Sequence, residues 1–335
     1  MTDAPWFEDF EVGNEYSDVP SVTLTEGHAA IHQAIFGDRL PLTLDRPLCR
    51  RVTGEDRLLA NPSMVCNFAI GQTTIPSQRV MGNLFYRGLV LRQPVFIGDT
   101  LTTRTKVVAL RQNKAREGRA ASGMVALEMH VTNQAGDTVL FFWRCPMIPC
   151  RDPAAQTGRN DDFDMMPSEV SLDALRAAVP RWQVDPAPAI GNGDRMRVEA
   201  RDTVTLAPEL VRLTGNLAMT HTDAARSVYG KRLVYGGHTI SIAAAQLSRA
   251  VPGMVTILGW YHCDHVAPVF EEDILRSEVI LESIHEAGPG TIGVVHVETF
   301  ADRGPESPAA ASGNDIKVLD WRLAILMALD GENPK

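Results

Sequence analysis

The sequence predicts an α+β protein built from one unit used twice, each unit a curved antiparallel sheet closed around a single buried helix. Two observations predict it. Short strings recur in the same order at nearly constant spacing, and each copy carries one long helical stretch that is small or apolar on almost every face. "PVFIGDTL" (Pro94 to Leu101) returns 174 residues later as "PVFEEDIL" (Pro268 to Leu275). "FGDRLPLTLD" aligns with "TGNLAMTHTD", placing Asp38 over Asn216 and Thr43 over His221, 178 residues apart. "VLFFWR" (Val139 to Arg144) is echoed by "VLDWR" (Val318 to Arg322), with Trp143 over Trp321. Any one match could be coincidence among short apolar strings. An ordered set marks an internal repeat.

Each copy has the same order of elements. A short helix comes first, "TEGHAAIHQAIFG" and then "APELVRLTG", each closed by a glycine suited to a helix C-terminus. The repeat loop follows, and then the longer helix. In the first copy this is "NPSMVCNFAIGQTT", where Asn61 can cap and Pro62 can occupy the first turn. In the second it is Gly236 to Ala250, with no acid and one base, Arg249, near its end. A helix apolar all round is buried. Alternating β-branched runs come next: "TLTTRTKVVAL", "GMVALEMHVTN" and "TVLFFWRC", then "ILRSEVILESI", "TIGVVHVETF" and "KVLDWRLAILM". One helix wrapped by an antiparallel sheet, twice, is a double hotdog. The expected units are 5–150 and 194–330. They flank a Pro-, Asp- and Ala-rich linker, 151–193, with one short helix near "SLDALRAAV".

Bulk properties narrow the function. The 335 residues are 44% hydrophobic and 22% charged, as in a globular protein. A net charge of −9 disfavours nucleic acid, which needs a basic footprint. No apolar run is long enough to span a membrane, and "MTDAPWFEDF" lacks the basic-then-apolar order of a leader. Five scattered cysteines without a CxxC pair read as reduced thiols, and a cytoplasmic location is expected.

The loop "NLAMTH" and the helix start "RLVYGGHTIS" resemble the MaoC-like hydratase/dehydratase family, whose (R)-specific enoyl-CoA hydratases carry (Asp/Asn)-x4-His before a buried helix that opens with Gly. The resemblance covers nearly the whole chain. "GDTLTTRTKVVALRQNK" and "LVYGGHTIS" look most like the long double-hotdog branch that includes mesaconyl-CoA hydratases (β-methylmalyl-CoA dehydratases). It implies a hydro-lyase that adds or removes water across a 2-enoyl thioester of a branched or dicarboxylic acyl-CoA such as mesaconyl-CoA. No metal or redox cofactor is implied, CoA being part of the substrate.

Such a reaction needs a base for water, an acid for Cα and donors for the thioester oxygen. His221 is the candidate for the proton transfers, because imidazole titrates near neutrality. Asn216 can orient water but cannot take its proton; Asp223, Asp264 and His265 are candidates for a replacement carboxylate or base. Thr43 cannot act as a base, so one active site is expected, built by the second copy. The unpaired N–H groups at Gly236 and Gly237 suit an oxyanion, although a tight turn would also require glycine. Tyr235, His238 and His265 flank these positions, as substrate-orienting or as packed side chains. In "WYHCDH" an extended strand puts Tyr261, Cys263 and His265 on one face, with His262 and Asp264 on the other; no third ligand is evident, and no metal is expected. The basic clusters around Arg46, Arg50, Arg51 and Arg57, and around Arg111, Lys114, Arg116 and Arg119, are the available cations for CoA. The expected partner is an acyl-CoA thioester, with neither nucleic acid nor membrane. The copies form an internal pseudo-dimer, and a homodimer is optional. Two other readings remain: an acyl-CoA-binding protein that has lost turnover, and a hotdog thioesterase. The central helices lack the carboxylate that commonly serves such thioesterases.

Overall fold

Asn61 begins the first central helix as its composition suggests. Its side chain accepts from the Ser63 N–H, and Pro62 fills the first turn. In the computed structural model, which describes residues 4–188, 190–303 and 315–328, this is α3 in the following order. The first half holds β1 (Glu15–Tyr16), β2 (Val22–Thr23), α1 (Glu26–Phe36), α2 (Arg46–Thr53), α3 (Pro62–Gly71) and α4 (Thr74–Ser77). It continues with β3 (Gly82–Leu91), β4 (Thr100–Gln112), β5 (Ser122–Thr132) and β6 (Thr138–Pro149). The linker contributes α5 (Leu172–Ala178). The second half holds β7 (Arg195–Arg197), β8 (Asp202–Thr203), α6 (Ala207–Leu213), α7 (Met219–Thr222), α8 (Gly236–Ala250), β9 (Met254–His265), β10 (Ile274–Glu286), β11 (Thr291–Asp302) and β12 (Ile316–Met327). Among the described residues no helix is long and apolar enough to cross a membrane.

The long strands form one sheet in the order β4–β5–β6–β3–β9–β12–β11–β10. Antiparallel pairing of β3 with β9 makes the joint, with Tyr86 opposite Cys263 and Leu89 opposite Trp260. The repeat is visible in its bonds. The Gln72 amide donates to the Leu101 carbonyl, and the Gln246 amide, 174 residues on, donates to Leu275. Asp99 accepts from the Phe96 N–H and Asp273 from Phe270. These carboxylates explain why "PVF..D" recurs: each closes the turn that leads into β4 or β10.

Every residue of α3 is buried, as are Gly237–Leu247 of α8. The two helices touch across the pseudo-twofold axis, where the Asn67 amide donates to Ser241 Oγ at 2.9 Å. A Cβ at Gly237 would run into Asn67 Oδ1, so this glycine permits the helix crossing.

The 151–193 linker, with its short helix α5, covers the outer face of the joint: Leu175, Ala178 and Trp182 share a buried cluster with Val90, Leu258 and Ala324. Two sequence expectations change. Trp143 does not superpose on Trp321. Leu140 faces Val131 as Leu319 faces Thr299, and counting on, Phe142 takes the place of Trp321 and Arg144 that of Leu323. Finally, Tyr261 does not share a face with Cys263 and His265. The register slips there, with Arg322 opposite His262 but Leu323 opposite Trp260, and this bulge turns Tyr261 outward under Arg322.

Candidate active site

The second repeat loop is pinned from both sides. Asn216 Oδ1 accepts from the Ala218 N–H at 3.0 Å, tightening the turn. The Leu217 N–H donates to Thr74 Oγ1 and the Met219 N–H to the Gln78 carbonyl, so the α4 segment of the first half holds the loop. This leads into α7, a single turn that carries His221. Its Nδ1 lies 2.7 Å from the Leu233 carbonyl. A carbonyl can only accept, so Nδ1 carries the proton and Nε2 keeps its lone pair. Burial lowers the pKa of this imidazole to about 4; the Leu233 bond opposes the shift and the Arg144 charge adds to it. His221 is therefore a neutral base at pH 7.

Nε2 belongs to a side chain lining a pocket with about 200 Å³ of free space. The second half contributes Asn216, His221, Tyr235, Gly236 and His265 to its wall. The first half contributes Tyr86 and Arg144, on neighbouring strands at paired positions. The site thus lies between the repeats. Its polar groups are held ready: the Tyr235 hydroxyl, His265 Nε2 and Arg144 Nε are buried without a hydrogen-bond partner. Burial raises the Tyr235 phenol and lowers His265 to about 4, with His221 adding to the latter. Gly236 opens α8 against His265; a Cβ there would lie 2.5 Å from the imidazole Nε2. The His238 N–H donates to the Tyr235 carbonyl, while those of Gly236 and Gly237 have no acceptor within the helix and face negative charge favourably.

One residue expected at the site points away from it. His238 lies in the first turn of α8, its Nε2–H donating to the Thr205 carbonyl and its ring against Phe36. Gly237 also serves the helix crossing, while its N–H stays among the first of α8. The missed residues are Tyr86 and Arg144. Their one sequence signal was an arginine among apolar neighbours in "FFWRCPMI", which the alignment on tryptophan concealed.

The first repeat loop is closed to chemistry. Asp38 is buried and fully engaged, accepting from Leu40 N–H, Ser248 Oγ and the Asn61 amide, and the Thr43 hydroxyl donates to the Leu40 carbonyl. The basic residues Arg46, Arg50, Arg51 and Arg57 pair with acids away from the pocket. On the outer face Asp264 pairs with Arg87, while His262 and His296 donate to Asp320, which also receives Lys317. These groups satisfy one another and do not reach the site.

No protein-family model matches the chain. It is 28% identical to β-methylmalyl-CoA dehydratase of Chloroflexus aurantiacus, over 97% of each chain. It is 27% identical to mesaconyl-CoA hydratase of Cereibacter sphaeroides, over 97% of this chain and 96% of that one. Among solved structures, a conserved hypothetical protein of Mycobacterium tuberculosis with a double hotdog fold is 39% identical. It superposes with a TM-score of 0.85, over 96% of this chain and 98% of the other. A MaoC domain protein of Chloroflexus aurantiacus is 26% identical with a TM-score of 0.82, over 99% of each chain. With a shared fold along its whole length and a His-bearing loop against the start of a buried helix, the chain belongs to the MaoC-like dehydratases in their double-hotdog form.

Proposed function

We propose that the chain is an acyl-CoA hydratase/dehydratase, a hydro-lyase acting on a 2-enoyl thioester. The names of its curated relatives point to a mesaconyl or β-methylmalyl thioester. The observation that carries the reading is the neutral His221, its tautomer set by Leu233, in one pocket with the N-terminus of α8. In the hydration direction, His221 Nε2 takes a proton from water as the water oxygen bonds to C3. The electron pair of the double bond moves toward the thioester oxygen, where the first N–H groups of α8 stabilise the charge. The imidazolium then returns its proton to C2. Asn216 holds the water beside His221. These steps draw only on the chain's own groups, the thioester and one water.

The test is hydration of trans-2-butenoyl-CoA and mesaconyl-CoA, followed as loss of the conjugated thioester absorbance, with free thiol measured alongside. Hydration without thiol supports the reading. Thiol release would make the protein a thioesterase, and tight binding without either product would make it a binding protein.

A further inference from the structure

Arg144 is 4% exposed and projects from β6 into the pocket, yet among the described residues it has no carboxylate partner. Its partners are neutral groups: Nη2 reaches the Thr73 carbonyl at a long 3.4 Å, the Tyr86 phenol oxygen accepts from the guanidinium, and Nε has no partner. The other two buried arginines show what the fold otherwise does. Arg276 pairs with Glu278 and Asp315, and Arg303 faces Asp273. An unpaired buried charge is costly, and the fold does not demand one here, because the equivalent place in the second repeat is Leu323. The unpartnered Tyr235 hydroxyl lines the same pocket.

We propose that Arg144 is the specificity-determining residue of this site, its guanidinium anchoring a carboxylate at the far end of the acyl chain. The proposal rests on the reading that an acyl-CoA fills this pocket. Arg144 and the start of α8 line the same pocket, so with the thioester oxygen at the helix start the group that reaches Arg144 is the acyl chain, and the anion that meets it comes from the acyl group. A guanidinium presents paired donors in a fork that matches a carboxylate, and Tyr235 can add a third donor.

Binding of two unreactive probes tests this without turnover: S-(3-carboxypropyl)-CoA and S-butyl-CoA, which differ by carboxylate against methyl. Titration calorimetry on the wild-type protein is expected to favour the carboxylate probe by at least about 10-fold. Arg144→Gln is expected to abolish that preference and Arg144→Lys to keep part of it. Equal wild-type binding, or a preference that survives in Arg144→Gln, overturns the proposal. Should the Gln variant fail to fold, the wild-type ratio and the Lys variant decide. Binding of neither probe removes the acyl-CoA reading and the proposal together. An intact preference with no hydration of any enoyl thioester removes only the hydratase reading.

Discussion

Acidification probes the state of His221 directly. Burial holds its folded pKa at about 4, against 6.5 for a free imidazole. At pH 7 a gap of three pH units leaves about one molecule in a thousand protonated. The base form is therefore fully populated at neutrality, and kcat/KM for hydration is expected to be level from pH 8 to about 5.5. It should then fall as the pH approaches 4. Stability follows the same group. Between 6.5 and 4 the unfolded chain holds the proton and the folded protein does not. Stability is thus fully present above 6.5 and is lost as pH falls toward 4. The gap corresponds to about 3 kcal/mol for His221 alone. His238 and His265, each lowered to about 4 chiefly by burial, act in the same direction. The assay pairs kcat/KM against pH with urea midpoints, and ¹³C NMR of the His221 Cε1 assigns the titration. An NMR midpoint at or above 6.5 would refute the buried, neutral imidazole described above. So would a urea midpoint unchanged between pH 7 and 5.

Substitutions give three further outcomes. His221→Ala is expected to lower turnover by about 10²- to 10⁴-fold, while Thr43→Ala, in the closed loop, leaves it within a few-fold of wild type. Asn216→Asp keeps the acceptor for the Ala218 N–H, so the loop should survive. A second titrating group then faces His221, and the pH–rate profile should shift. An Asp variant as inactive as Asn216→Ala would instead make the amide NH2 a donor to the thioester oxygen. Gly236→Ala sets a methyl 2.5 Å from His265 Nε2 and is expected to cost kcat more than melting temperature. Gly237→Ala at the helix crossing should do the reverse, losing about 1–3 kcal/mol of stability.

The repeat was legible because its strings carry local bonds that recur: the turn-closing Asp99 and Asp273, and the helix that begins at Asn61. His221 and Asn216 were legible because they lie five apart in one loop. The joint strand β3 was not. β3 pairs with neighbours on both sides and slips register twice against β6, between Asn83 and Tyr86 and between Arg87 and Val90. Its side chains therefore do not alternate cleanly between faces. The same kind of slip at Tyr261 misassigned a face of β9. His238 looked like a site residue because it follows Gly237 directly. Helical geometry turns successive side chains by about 100°, which takes it to Thr205 and Phe36 instead.

The asymmetry between the repeats explains why one pocket exists and not two. A pseudo-twofold axis offers two equivalent places, each facing a loop, a helix start and the inner face of the other repeat's strands. At one place stand Asn216, His221, Tyr86 and Arg144. At the other stand Asp38, locked by three donors, and Thr43, bonded to its own loop. There Leu323 replaces Arg144, and Trp260, which faces Leu323, stands across from it as Tyr86 faces Arg144. Both Trp260 and Leu323 are fully buried in the main core. The second place has thus been filled with apolar volume, which stabilises the joint. The first keeps the cost of unpartnered polar groups: Arg144 Nε, the Tyr235 hydroxyl and His265 Nε2. At the second place only an indole N–H, that of Trp260, is left without a partner among the described residues, whereas the first holds a charged guanidinium, a phenol and an imidazole around one pocket; a ligand that supplies their missing partners is the economical reason. Because Arg144 and Tyr86 come from the first half and His221 from the second, neither half alone assembles the pocket. The duplicated half without the catalytic loop is therefore a contributor to the site, not a spare copy of it.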